Sequence, residues 1–252
     1  MEKNLVGTPI WRILNYGIVP TFKYFVTHRL GLKSQNKNLE TLTVSDFAVL
    51  IGMKGENSES ISRENVLSMV QDMREQVDLD SKGRRIKDVL GVESSVARLL
   101  ILEIAIRSKR FRSFLETGTQ HGLSAFVVNE SAKMNSLSMN STSFDVSHEQ
   151  YFVRSEGVNY SLLTRPVRKN FKSQTLALKV EPLLFFHDSD HSYENMLFEF
   201  EWAWNHLNAE VIISDDIDGN NAFFDFCKSA GITGYRIMID EGPAVGFVVR
   251  SL

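Results

Sequence analysis

The chain has 252 residues, 43% of them hydrophobic and 23% charged, with a formal net charge of −3 and a pI near 6.1. This composition excludes a wholly disordered chain, because there is apolar surface enough to offset the ordering entropy, and its slightly acidic balance gives no electrostatic footprint for nucleic acid. The single cysteine, Cys227, excludes a disulfide framework and a thiolate zinc site, and suits a reducing, cytoplasmic setting.

Residues 1–110 read as a helical and irregular N-terminal extension. No run of about 18 apolar residues occurs, so no membrane-spanning helix is expected, and Met1–Leu5 does not open a secretory signal. The segment Ile10–Leu32 mixes Trp11, Tyr16, Phe22, Tyr24 and Phe25 with Arg12, Lys23 and Arg29, and Pro20 interrupts it. Its preferred reading is an arm packed on the main domain or on a second subunit, in a homodimer. The alternative is peripheral membrane contact through residues 10–32. Ser34–Asn38 and Gly52–Ser60 are polar loops. Arg63–Val77 carries Val66, Leu67, Val70, Met73 and Val77 at helical spacing. Ser94 or Ser95 caps a further helix, Val96–Arg107, in which Leu99, Leu100, Ile101, Ile104 and Ala105 form a wide apolar stripe. Basic residues outnumber acids between Lys82 and Arg112. Arg98 is one of them, and the group reads as a solvated face, with a patch that attracts an anionic substrate as the alternative.

From residue 111 to 252 strands alternate with helices. Strands are expected at Ser113–Leu115, Ser141–Phe144, Asn159–Leu163, Pro182–Phe186, Glu210–Ser214, Tyr235–Ile239 and Ala244–Val249, the last two as an antiparallel pair. Helices are expected at Leu123–Lys133, Tyr193–Leu207 and Ala222–Ser229, the last holding Cys227 as a core residue. Such alternation predicts an α/β, Rossmann-like doubly wound domain on a mostly parallel seven-stranded sheet. Ligands of these sheets sit beyond the carboxyl ends of the strands, where this chain places Glu116, Asp145, Asp188 and Asp215-Asp216.

Four motifs carry chemistry. The first is the glycine turn Glu116-Thr117-Gly118-Thr119-Gln120-His121-Gly122-Leu123-Ser124, which leaves a strand and opens a helix whose free N–H groups and dipole favour a ligand. Gln120 stands where a dinucleotide turn needs its second glycine, so NAD and FAD are disfavoured. The second is Asp145, placed at the next strand end to accept ribose hydroxyls. The third is His187-Asp188-Ser189-Asp190-His191-Ser192-Tyr193-Glu194, in which Ser192 suits a helix cap. The fourth is Ser214-Asp215-Asp216-Ile217-Asp218. Clustered carboxylates repel unless they share a cation or a proton, and oxygen-only ligands favour Mg²⁺ or Ca²⁺. A solvated acidic rim is the alternative.

These motifs, in this order, resemble class I S-adenosylmethionine-dependent methyltransferases. They are most similar to the metal-dependent sugar and small-molecule O-methyltransferases of the macrocin, rhamnosyl and cephalosporin-hydroxylase types. The resemblance covers roughly residues 110–252 and implies S-adenosylmethionine and Mg²⁺, or another hard divalent cation, as cofactors. It implies Glu116, Gly118, Thr119, Gly122, Ser124, Asp145 and Asp188 for cofactor binding, Asp188, Asp215 and Asp216 for the metal, and Asp190 or His191 as the base. The chain departs from the family pattern in two places. Leu163–Lys172 lacks a clear adenine motif, and Leu207-Asn208-Ala209-Glu210 replaces a glycine pair. The expected activity is methyl transfer to a hydroxyl of a sugar or small-molecule acceptor. The alternatives are a non-catalytic scaffold on a decayed methyltransferase fold, and a metal-dependent hydrolase using the His187–His191 cluster.

Overall fold

The computed structural model describes residues 35–53, 58–76, 92–147, 155–178, 182–238 and 243–250. The segment Ile10–Leu32 and the charged stretch Asp78–Arg85 lie outside the described residues. In chain order the elements are β1 (Glu40–Leu42), α1 (Val44–Leu50), α2 (Ser58–Gln76), α3 (Val92–Arg107), β2 (Ser113–Thr117), α4 (Leu123–Met134), β3 (Asn140–Asp145), β4 (Val158–Leu162), α5 (Val167–Leu176), β5 (Leu183–His187), α6 (Tyr193–Asn205), β6 (Val211–Ser214), α7 (Ala222–Ala230), β7 (Gly234–Ile237) and β8 (Val245–Val249).

The strands form one sheet in the order β1-β7-β8-β6-β5-β2-β3-β4, with β8 antiparallel to both neighbours and the other pairs parallel. Central strands read as unbroken apolar runs because helices cover both faces. In β5, Leu183 and Phe185 face one core while Leu184 and Phe186 face the other. Strand β6 divides likewise, with Ile212 on the first side and Val211 and Ile213 on the second. The first core packs α5, α6 and α7 through Phe171, Phe200, Trp202, Phe223 and Phe226. The second packs α1, α3 and α4 through Phe47, Leu100, Ile104 and Val128. Cys227 belongs to the first core, and burial pushes its thiol up to about 12, so it serves as an apolar filler.

The sheet has eight strands where the sequence predicts seven. Three-residue β1 is the addition, paired in parallel with β7 from Glu40↔Tyr235 to Leu42↔Ile237. It is too short to show a period-two pattern. Among the described residues of the first 110, β1 joins the sheet, and α3 has Leu100, Ile101, Leu102, Ile104, Ala105 and Ile106 fully buried. Helix α5 has no counterpart among the helices expected from the sequence, since it is short and carries mostly polar residues. In α2 the inward face is Val66, Met69 and Val70, while Leu67 points outward at 48% exposure. Among the described residues no helix is long and apolar enough to cross a membrane.

Candidate active site

Strand order reverses between β2 and β5, and in such sheets ligands bind beyond the carboxyl ends of the strands at that point. The two ends are in direct contact. Asp188 N donates to Thr117 O at 2.9 Å, and a Cβ on Gly118 would lie 2.0 Å from Asp188 O. Gly118 also has φ +91°, a backbone that side chains resist, so only glycine satisfies both conditions here. Gly122 (φ +77°) sits at the N-cap of α4, with its N–H on Thr119 O at 2.7 Å.

The side chains of this turn are spent on holding it. Glu116 is fully buried and accepts hydrogen bonds from Ser124 Oγ and Ser143 Oγ, while Thr119 Oγ1 shares a hydrogen bond with Ser143 Oγ. Burial pushes the Glu116 carboxyl up to about 7, against the pull of Ser124, Ser143 and Arg98. Asp145 Oδ2 accepts from Gln120 N at 2.8 Å, and its Oδ1 accepts from Val146 N at 2.6 Å and Ser147 N at 3.1 Å. Gln120 itself is exposed in left-handed backbone (φ 42°). Of the residues expected to bind cofactor, Glu116, Thr119 and Ser124 thus form an internal network. Asp145 joins the turn to β3.

The third motif is organised from beneath. Glu199 of α6, 5% exposed, lies 2.7 Å from His187 Nδ1 and accepts from Thr117 Oγ1 (2.6 Å), Asn195 Nδ2 (3.0 Å) and Ser189 Oγ (3.0 Å). Burial raises the Glu199 carboxyl, but His187 and these donors outweigh it and hold it below the usual value. The His187 and His191 rings meet edge to face at 5.2 Å, and the Nε2 of each is buried with no hydrogen-bond partner among the described residues. Burial, with His187 adding to it, pushes His191 down to about 4, so its ring is neutral at neutral pH. Ser192 occupies the N-cap of α6 without capping it, and its hydroxyl donates instead to Asp190 Oδ2 at 3.0 Å.

The acids of β5 and β6 meet on a cation from α3. Arg98 Nη1 lies 2.5 Å from Asp215 Oδ2 and 3.1 Å from Asp188 Oδ2. Burial raises the Asp188 carboxyl, and Arg98 opposes the rise. Asp216 follows in left-handed backbone (φ 45°) and acts on Asp188 through its charge. The divalent metal implied by the resemblance does not fit this donor set as it stands. The guanidinium already spans the two acids, and among the described residues no three His, Cys, Asp or Glu side chains gather in metal-holding geometry. Arg98 was counted with a solvated basic face and is instead an interior partner. Below the acids, Asn36 Nδ2 donates to Ile217 O (2.5 Å) and Asn220 O (2.6 Å), and Asn220 Nδ2 donates to His191 O (2.8 Å).

Arg98, Glu199 and Asn36 were not singled out from the sequence. Glu199 left a signal, an acid on the same stripe of α6 as Met196, Phe200 and Ala203. His148 lies outside the described residues.

A Rossmann-like sheet with a glycine turn and acids at the switch point is the architecture in which ligands bind beyond the carboxyl ends of the strands. Residues 115–217 match the family model described as a methyltransferase domain. No curated protein matches the sequence significantly. Similar solved structures include a Mg- and SAM-bound CmcI, at 17% identity and TM-score 0.41, covering 60% of this chain and 61% of that one. Others are an O-methyltransferase from Bacillus cereus in complex with SAH (16%, TM-score 0.47, 74% and 91%) and an SAH-bound Podospora anserina methyltransferase (14%, TM-score 0.49, 75% and 88%).

Proposed function

We propose that the protein is an S-adenosylmethionine-dependent O-methyltransferase acting on a hydroxyl of a sugar or other small-molecule acceptor. The observation that carries this reading is the β2–β5 switch point, where the Gly118–Gly122 turn closes against Asp188 while the family match spans the same strands. Bound there, S-adenosylmethionine supplies an activated methyl group on a sulfonium. The turn presents backbone N–H groups and the start of α4 to the cofactor. Asp145, at the end of β3, suits the ribose hydroxyls once Gln120 shares or releases its carboxylate.

The acceptor oxygen forms a bond to the methyl carbon as the sulfur–carbon bond breaks with its electron pair returning to sulfur. The hydroxyl proton must leave, and Asp190 and His191, which follow the end of β5, are the two candidate bases; the Asp190 carboxylate also accepts from Ser192. The chain's contribution is chiefly alignment of oxygen, carbon and sulfur, with the base adding about a hundred- to ten-thousand-fold. A cytoplasmic location is part of the same reading.

Calorimetric titration of the purified protein with S-adenosylhomocysteine tests it. Micromolar binding is the expected result. Absence of binding, with and without Mg²⁺, would overturn the assignment in favour of a scaffold on a decayed fold.

A further inference from the structure

We propose that Arg98 is the resident cation of the acidic site, standing where a divalent metal would stand, so that the methyl-transfer site works without metal. Three observations carry this. A single nitrogen, Nη1, bridges the two acids, lying 2.5 Å from Asp215 Oδ2 and 3.1 and 3.4 Å from Asp188 Oδ2 and Oδ1, which is the position of a bridging ion. The helix that delivers it is anchored on the residues that follow, Leu99 to Leu102, each exposed by 1% or less, so the charge comes from a fixed element. The Arg98 side chain is 21% exposed, Asp188 13% and Asp215 10%, so all three charged groups lie largely enclosed, where solvent screens them little.

A divalent ion approaching the same oxygens would meet a full positive charge at bonding distance and would have to expel it. Arg98 in turn would leave two poorly solvated carboxylates facing each other if it moved away. Both exchanges are opposed by the charges already present. Arg98 is thus a positioning residue, fixing the two strand-end acids and supplying the positive charge beside which the acceptor hydroxyl is deprotonated. That last role rests on the methyltransferase reading, but the metal exclusion does not.

Mn²⁺ titration of the full-length protein, followed by electron paramagnetic resonance, separates the two. The wild type is expected to leave Mn²⁺ free up to about 1 mM, a range that marks at best weak binding. The Arg98→Ala variant is expected to acquire a Mn²⁺ site that Asp215→Asn in the same background removes. A single Mn²⁺ held by the wild type at micromolar concentration, and lost in Asp188→Asn, would overturn the proposal. So would an Arg98→Ala enzyme with wild-type turnover and no Mn²⁺ site. The wild-type titration needs no variant and decides the matter if Arg98→Ala does not fold. Loss of S-adenosylhomocysteine binding by the wild type would count against the methyltransferase reading alone, since the Mn²⁺ result stands apart from it.

Discussion

Glu199 Oε2 lies 2.7 Å from His187 Nδ1, with the histidine fully enclosed and the carboxylate nearly so. The same carboxylate also receives Thr117, Ser189 and Asn195, so one buried acid ties the end of β2, the end of β5 and the start of α6. Removing it strands several polar groups at once. Glu199→Ala should lower stability by about 3 kcal/mol, the usual consequence of leaving buried partners unpaired. Glu199→Gln, which keeps an acceptor, should cost less. Urea unfolding measures both, and equal small losses would show that the cluster carries little.

Gly118→Ala should abolish S-adenosylhomocysteine binding and destabilise the fold by about 2 kcal/mol or more. The added methyl meets Asp188 O and Ser189 N, which are backbone atoms and cannot swing aside. Calorimetry together with thermal melting tests this. A variant that binds normally would mean that the β2–β5 contact is not the ligand crevice.

The two buried titrating groups give opposite pH dependences. His191 is held near 4 when folded against 6.5 for an ordinary histidine, so the unfolded chain takes up the proton first. Its contribution is fully present above about 6.5 and is lost as pH falls toward about 4. Glu116 is held near 7 against an ordinary 4.5, so here the folded chain keeps the proton. Its contribution is present below about 4.5 and is lost as pH rises through about 7, with a ceiling of roughly 3 kcal/mol. Glu116→Gln should therefore gain on the wild type above pH of about 7, and His191→Gln should flatten the acid side. Urea midpoints across that range provide the measurement. A wild-type profile that Glu116→Gln leaves unchanged would remove the buried carboxyl as its source.

Ile104→Ala should cost about 2–5 kcal/mol, as for other large-to-small changes in a packed core. Ile104 is fully buried in the core that α3 shares with the sheet. A loss near zero in chemical denaturation would make α3 an appendage after all.

Much of the sheet was legible because β2, β5 and β6 each pair an apolar run with a polar end, and both signals are local. The left-handed turn at Asn208 (φ 51°) was legible too, since asparagine tolerates that backbone where the family pattern has glycine. The acids at the strand ends could be read, but not what faces them. Arg98 reaches Asp188 and Asp215 from a separate helix, and nothing in the spacing of a basic residue tells a solvated arginine from an enclosed one. Thr119 and Ser124 illustrate the same limit: their place in the glycine turn suggested ligand contact, while their hydroxyls turn inward to Ser143 and Glu116. Strand β1 escaped notice because three residues are too few for a pattern, and its partner lies at the other end of the chain.

That last pairing bears on how the molecule comes to exist. Glu40 meets Tyr235, about 200 residues later in the chain, a separation that makes the contact slow to form. During synthesis the first strand to emerge must wait, unpaired, until nearly the whole polypeptide has been made. The acids that engage Arg98 likewise arrive long after the arginine. The site is thus among the last parts of the protein to be completed, and a nascent chain halted before β6 would carry the glycine turn, Arg98 and Asp188 without Asp215 to complete the charged set.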